Sequence, residues 1–254
     1  MRGSGQVDEF LNSYHLYRWG NVTLGSSIPL FAPVQTELIS CLDGEADGVS
    51  GSLAGRAPVR HATISEFGPV VIKGYVRGGL LRFARSPIHM RWGRTRCERE
   101  FDVLQKVRQL GIAAPEPLAF AWRGGGRWYR AWLFTRLIEG TRTLADISRA
   151  DENRARVLAE RLAPIVELLI LKGVFHVDLH PGNVVVDEDD KIYLVDFDKA
   201  RIVTGREHEQ LAERYLCRWR RAVIKHNLSE VLTEVLCSSL RRRDLLRSSV
   251  RGHL

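Results

Sequence analysis

The chain has no run of about 18 uncharged apolar residues, the length a membrane-spanning helix needs. Its longest apolar stretch, Leu162 to Leu171, is broken by Pro164 and Glu167. The first twenty residues, MRGSGQVDEFLNSYHLYRWG, lack an apolar core and do not read as a signal peptide. Cysteine is scarce: Cys41, Cys97, Cys217 and Cys237 lie far apart with no Cys-x-x-Cys spacing. That spacing argues against a zinc site and predicts free thiols in a reducing cytosol. No internal repeat is evident.

What is present is the composition of a globular protein. Of 254 residues, 44% are hydrophobic and 27% charged, enough to bury a normal core in one sizeable domain or two small lobes. The net charge is +8 and it is unevenly placed. Lys73 to Arg99 holds eight Lys/Arg against one acid, Glu98. Arg214 to Leu254 holds ten against three. Such concentration points to a polyanionic partner, whether nucleic acid, anionic lipid or a phosphorylated sugar, or else to a solvated arginine-rich face.

Residues 1–60 are poorly defined by pattern, and LDGEADGVSGSLAGRAPV reads as loop. From Phe67 to Tyr75, FGPVVIKGY has the β-branched run of a buried strand. Arg94 to Leu110 places Phe101, Leu104, Val107 and Leu110 at helical spacing, with Gly111 to end the helix. PEPLAFAWRGGGRWYRAWLFTRLI predicts two strands around a Gly-rich turn. Asp151 to Leu171 predicts a helix with an apolar face, and NVVVDEDDKIYLVDF a hairpin with an acidic turn. Leu228, Val231, Leu232, Val235, Leu236 and Leu240 form an amphipathic stripe. Strands with one helix come first, then helices with one hairpin. The expectation is an α+β fold with a β-rich lobe at 1–138 and a helical lobe at 139–254, divided near Leu137–Gly140.

The window from His176 to Arg201, HVDLHPGNVVVDEDDKIYLVDFDKAR, is dense in acid chemistry. Phosphoryl transfer needs a positioned hydroxyl, a metal over the phosphates and charge neutralisation. Magnesium takes hard oxygen ligands and keeps waters, so one carboxylate and one amide oxygen suffice. Asp196, after the strand IYLV, can supply the carboxylate. Asn183, before the strand VVV, can supply the amide oxygen. A hairpin brings both to the same end. Asp178 can accept or orient the substrate hydroxyl proton.

This window resembles the catalytic loop of protein-kinase-like enzymes, H-R-D-L-x-x-x-N, followed by their magnesium-binding D-F-G segment, here Asp196-Phe197-Asp198. VVIK resembles their strand with the phosphate-contacting lysine. The resemblance implies that Lys73 grips the α/β-phosphates of ATP and that Glu100 pairs with it. Glu98 is the competing glutamate; Glu100 is preferred because Leu104 and Val107 follow at positions that pack inward. Asp-Phe-Asp followed by a basic residue, with KGYVRGGLL, RTRCEREFDVL and RWRRAVIKHNLSEVLTEVL, is similar to the lipopolysaccharide kinase family, particularly the 3-deoxy-D-manno-octulosonic acid (Kdo) kinases. The similarity runs from about Phe67 to Leu240.

The resemblance implies an ATP- and magnesium-dependent phosphotransferase that acts on a hydroxyl of Kdo in the lipopolysaccharide inner core. It implies a Kdo-lipid A acceptor, an anionic membrane surface as partner, no nucleic acid, and a peripheral place on the inner face of the inner membrane. DFDKARIVTGREHEQ has no A-P-E and leaves no platform for a peptide, which favours a sugar or lipid acceptor. The expected phosphate loop, Gly51–Gly55, is only loosely glycine-rich. Asp in place of the glycine at 198 predicts a fixed metal loop, with Asp198 bonding backbone, a nearby base or the metal. The alternatives are a heptose kinase or another small-molecule kinase on the same fold, or a tRNA- or protein-associated ATP-binding module.

Overall fold

The computed structural model describes residues 14–43, 59–75, 89–90, 93–124, 128–203, 208–243 and 245–246. Arg77, Arg82, Arg85, Arg91 and the Gly51–Gly55 loop lie outside the described residues. The fold is α+β, and it divides into two compact units. One comprises Met1–Asp102 with Pro117–Arg136, the other Val103–Glu116 with Leu137–Leu254.

The first unit is built on an antiparallel sheet. Its strands are β1 (His15–Trp19), β2 (Val22–Ser26), β3 (Val59–Ile64), β4 (Gly68–Gly74), β5 (His89–Met90), β6 (Pro117–Arg123) and β7 (Trp128–Arg136). They run in the order β1-β2-β6-β7-β4-β3, with β5 paired to one end of β7. Trp19 and Val22 close the first hairpin across Gly20-Asn21, and Gly20 has φ +57°. That positive φ is what a two-residue hairpin turn requires. The helix α1 (Ala32–Ser40) contributes Val34 and Leu38 to a core with Leu24, Val70, Ile72 and Phe134. Gly25 is held by close approach: a Cβ there would lie 2.3 Å from the Phe120 ring. That ring packs edge-on against Tyr14 and Phe101.

The helix α2 (Arg96–Gln109) begins in this unit. Its cap is reciprocal. Thr95 N–H and Oγ1 both donate to Glu98 Oε2 at 2.6 Å, while Glu98 N–H turns back to Thr95 Oγ1 at 3.4 Å. Thr-x-x-Glu is a capping box, and it commits Glu98 to the helix end.

The second unit is helical around short strands. They are β8 (Arg142–Thr143), α3 (Leu144–Ala150), α4 (Glu152–Leu171), β9 (Val174–Phe175), β10 (Val184–Val186), β11 (Ile192–Leu194), β12 (Arg201–Ile202), α5 (His208–Lys225) and α6 (Val231–Arg242). Asp151 caps α4, its carboxylate accepting from Arg154 N–H at 2.9 Å. The apolar stripe of α4, including Leu158, Leu162, Val166, Leu169 and Ile170, is buried. The helix packs against α6, whose Leu232, Leu236 and Leu240 are also buried. Each such leucine contributes about 1.5–3 kcal/mol by leaving water. Glu167 sits buried on α4 and is satisfied by Ser239 Oγ at 2.7 Å and Arg243 Nε at 3.3 Å. Gly173 ends α4 with φ +65°, where a Cβ would lie 2.3 Å from the Val203 carbonyl oxygen.

Candidate active site

In the first unit, β4 carries Lys73. The Lys73 ammonium donates to both Glu100 oxygens, at 2.9 and 3.0 Å. Glu100 is buried and also accepts from the Tyr75 hydroxyl at 2.5 Å. Lys73 stays partly exposed, its ammonium 5.4 Å from the Tyr75 ring centroid. The pairing follows from helix phase. Glu98 is spent on the cap, and Glu100, two residues on, is separated from it by about 160° around the helix axis. Phe101, Leu104 and Val107 are buried.

In the second unit, two loops are clamped side by side. β9 pairs with β12, setting Val174 opposite Ile202 and Phe175 opposite Arg201. β10 pairs with β11, setting Val184 opposite Leu194. The loop 176–183 is therefore fixed at both ends beside the loop 195–200. Three hydrogen bonds lock the arrangement. His176 Nε2–H donates to the Val195 carbonyl at 3.0 Å. Val195 N–H donates to the Asn183 carbonyl at 3.0 Å. The Asn183 side-chain amide donates to the Asp178 carbonyl at 2.9 Å.

Each acidic or amide group has a defined setting. Asn183 is buried on the 3-10 turn Pro181–Asn183, and its amide nitrogen is used by Asp178. Its amide oxygen is then the end not used in that bond. Asp196 is exposed and has φ +67°, a left-handed conformation that costs a non-glycine residue about 1–3 kcal/mol. Strain of that kind persists where the surroundings impose it. Here Phe197, fully buried and 4.4 Å from the His176 ring, pins the next residue. Asp198 follows in the turn closed by Ala200 N–H to the Phe197 carbonyl at 2.9 Å. One carboxylate and one amide oxygen of this type fit magnesium, with water completing the shell. Among the described residues no cluster of three His, Cys, Asp or Glu could hold a metal by itself.

Burial drives the His176 imidazole down to about 4, against the opposing pull of the Val195 carbonyl and of Asp196 and Asp178. It is neutral, with Nε2 carrying the proton and Nδ1 buried without a partner. The sequence reading did not assign two residues of α5 that shape this site. Tyr215, buried, donates from its hydroxyl to the Val174 carbonyl at 2.7 Å and accepts from His176 N–H at 2.7 Å. Burial pushes its phenol pKa up. Arg218 makes an ion pair with Asp178 Oδ1. Both partners are substantially exposed, so the pair contributes at most about 1 kcal/mol. The sequence marked this helix only as basic; no local pattern names the loop it touches.

The sequence model of the lipopolysaccharide kinase (Kdo/WaaP) family matches residues 47–234. A 3-deoxy-D-manno-octulosonic acid kinase of Vibrio parahaemolyticus is 28% identical over 200 residues, 74% of this chain and 82% of that protein. One of Xylella fastidiosa strain M23 is 26% identical over 174 residues, 68% of this chain and 64% of that protein, just under two thirds of its length. One of Vibrio cholerae is 27% identical over 164 residues, 64% of this chain and 69% of that protein. A kinase fits the paired loops of the second unit and the lysine–glutamate pair of the first. The chain belongs to the lipopolysaccharide kinase (Kdo/WaaP) family.

Proposed function

We propose that the protein transfers the γ-phosphoryl group of ATP to a hydroxyl of Kdo in the lipopolysaccharide inner core. The observation that carries this reading is the clamped loop pair, which holds Asp178, Asn183 and Asp196 on one framework. The Kdo kinase names of its relatives supply the acceptor.

In this reading Lys73, oriented by Glu100, binds the non-transferred phosphates. Asn183 and Asp196 hold magnesium, which when bound neutralises the phosphate charge. Asp178 takes the proton of the acceptor hydroxyl as the hydroxyl oxygen bonds to the γ-phosphorus. The bond from that phosphorus to the bridging oxygen breaks and ADP leaves. His176 and Tyr215 keep the loops in register. No described helix is long and apolar enough to cross a membrane. The chain reaches its acceptor as a peripheral protein on the inner face of the inner membrane, by attraction between basic side chains and anionic lipid.

An acceptor panel tests the proposal: Kdo-lipid A, a heptose-bearing core, tRNA and a generic protein, each with magnesium-ATP. Phosphate should appear on Kdo. Phosphate on heptose instead, or transfer to tRNA or protein alone, would replace this acceptor with another.

A further inference from the structure

Arg214, Arg218, Arg221 and Lys225 are all exposed on α5. Their spacing of four, three and four residues puts them on one face of the helix. The acids of this helix, Glu209 and Glu213, fall outside that row. The row is about 16 Å long at the helical rise. Its position against the candidate catalytic loop is fixed at several points. The Arg214 guanidinium lies 5.8 Å from the Phe175 ring centroid. Arg218 pairs with Asp178. The His226 and His180 rings, 6.4 Å apart, bring the end of the helix beside the same loop. Tyr215 and Trp219 anchor the opposite face, the latter donating to the Leu232 carbonyl at 3.1 Å.

We propose that this face of α5 binds the anionic groups of the acceptor, and that Arg218 exchanges Asp178 for an acceptor anion as the acceptor arrives. The inference rests on the function proposed above. A solvated basic face would not need a member seated on the residue that takes the hydroxyl proton. Guanidinium groups bind carboxylate and phosphate through two parallel hydrogen bonds, so the row selects an acidic, multiply charged sugar over a neutral one. Arg218 leaves a weak, exposed partner for a ligand held by its neighbours. The exchange frees Asp178 Oδ1 when a hydroxyl is present. Without acceptor the residue stays engaged. Arg218 is thus a specificity and positioning residue, and Arg214, Arg221 and Lys225 supply the remaining grip.

The test uses the full chain. Binding of Kdo-lipid A without ATP is measured by calorimetry, and steady-state kinetics are measured with magnesium-ATP. Arg221→Ala should weaken binding and raise the acceptor KM by about tenfold, the worth of one charged hydrogen bond. The KM for ATP and the unfolding temperature should not move. Arg218→Ala should do the same, and Arg218→Lys should recover only part of the loss. A dephosphorylated acceptor separates the two sources of charge. If the Arg221→Ala defect persists on it, the residue reads the Kdo carboxylate; if the defect vanishes, it reads lipid A phosphate. Acceptor binding and KM unchanged in Arg218→Ala and Arg221→Ala overturn the proposal. If the wild type binds Kdo-lipid A through these residues but transfers no phosphate, the binding face stands and the proposed reaction falls.

Discussion

The side-chain amide of Asn183 donates to the backbone carbonyl of Asp178 at 2.9 Å, so the proposed metal ligand and the proposed base belong to one rigid loop. Loss of the Asn183 side chain removes a bond to the backbone of Asp178, whereas a side-chain change at Asp178 leaves that bond in place. Asn183→Ala should therefore lower turnover as well as magnesium affinity. Asp196→Asn, on the adjacent loop, should weaken nucleotide binding only when magnesium is present. Nucleotide titrations with and without magnesium check this. Unchanged magnesium-dependent affinity in Asp196→Asn would remove that residue from the metal site.

Glu98 and Glu100 should separate cleanly on mutation. Glu98→Gln weakens the α2 cap and should cost about 0.5–2 kcal/mol of stability with ATP affinity preserved. Glu100→Gln leaves Lys73 without its carboxylate and should raise the KM for ATP at least about tenfold. Denaturant midpoints and ATP kinetics on both variants decide the matter. An ATP defect confined to Glu98→Gln would reverse the assignment.

The neutral, buried His176 makes stability depend on pH. Its ordinary value is 6.5 and the folded value about 4, so the unfolded chain binds the proton first. The contribution is fully present above about pH 6.5 and is lost as pH falls toward 4, about 3 kcal/mol in all. Urea midpoints between pH 7 and 4 should fall accordingly. His176→Gln, which keeps a donor for Val195, should flatten that part of the profile. An equal fall in the variant would assign it to other groups.

Arg241 and Arg242 test membrane attachment. Arg243 is left unchanged because it also pairs with the buried Glu167 of α4, and its removal would alter a contact within the fold. Arg241 and Arg242 are exposed at the end of α6. Each basic residue near an anionic surface contributes about 1 kcal/mol, decaying over a Debye length. Arg241→Ala with Arg242→Ala should thus weaken partition to anionic vesicles roughly thirtyfold at low salt. High salt should release the wild type. Attachment indifferent to salt and to both residues would contradict electrostatic docking.

Long periodic segments were legible in the sequence. β4, β6, β7, α2, α4 and α6 follow from runs whose apolar spacing matches one buried face. The paired loops also followed, since VVV and IYLV flank their acidic residues. The hairpin β1–β2 was missed, although Gly-Asn between HLYRW and VTLGS is a hairpin signal. Thr95-x-x-Glu98 was likewise present and would have assigned Glu98 to the cap. Tyr215 and Arg218 were not legible. Their partners lie 39 to 41 residues away, and no local periodicity reports a contact made only after the helix has packed.

Phosphoryl transfer to Kdo-lipid A by the wild type and by Asp178→Asn, with ATP affinity measured on both, tests the central claim most directly. The wild type should place one phosphate on the Kdo residue, located by mass spectrometry of the product. Asp178→Asn should lose at least about a hundredfold in turnover while binding ATP as before. A wild type that leaves Kdo unmodified, or an Asp178→Asn variant that turns over normally, would contradict the account.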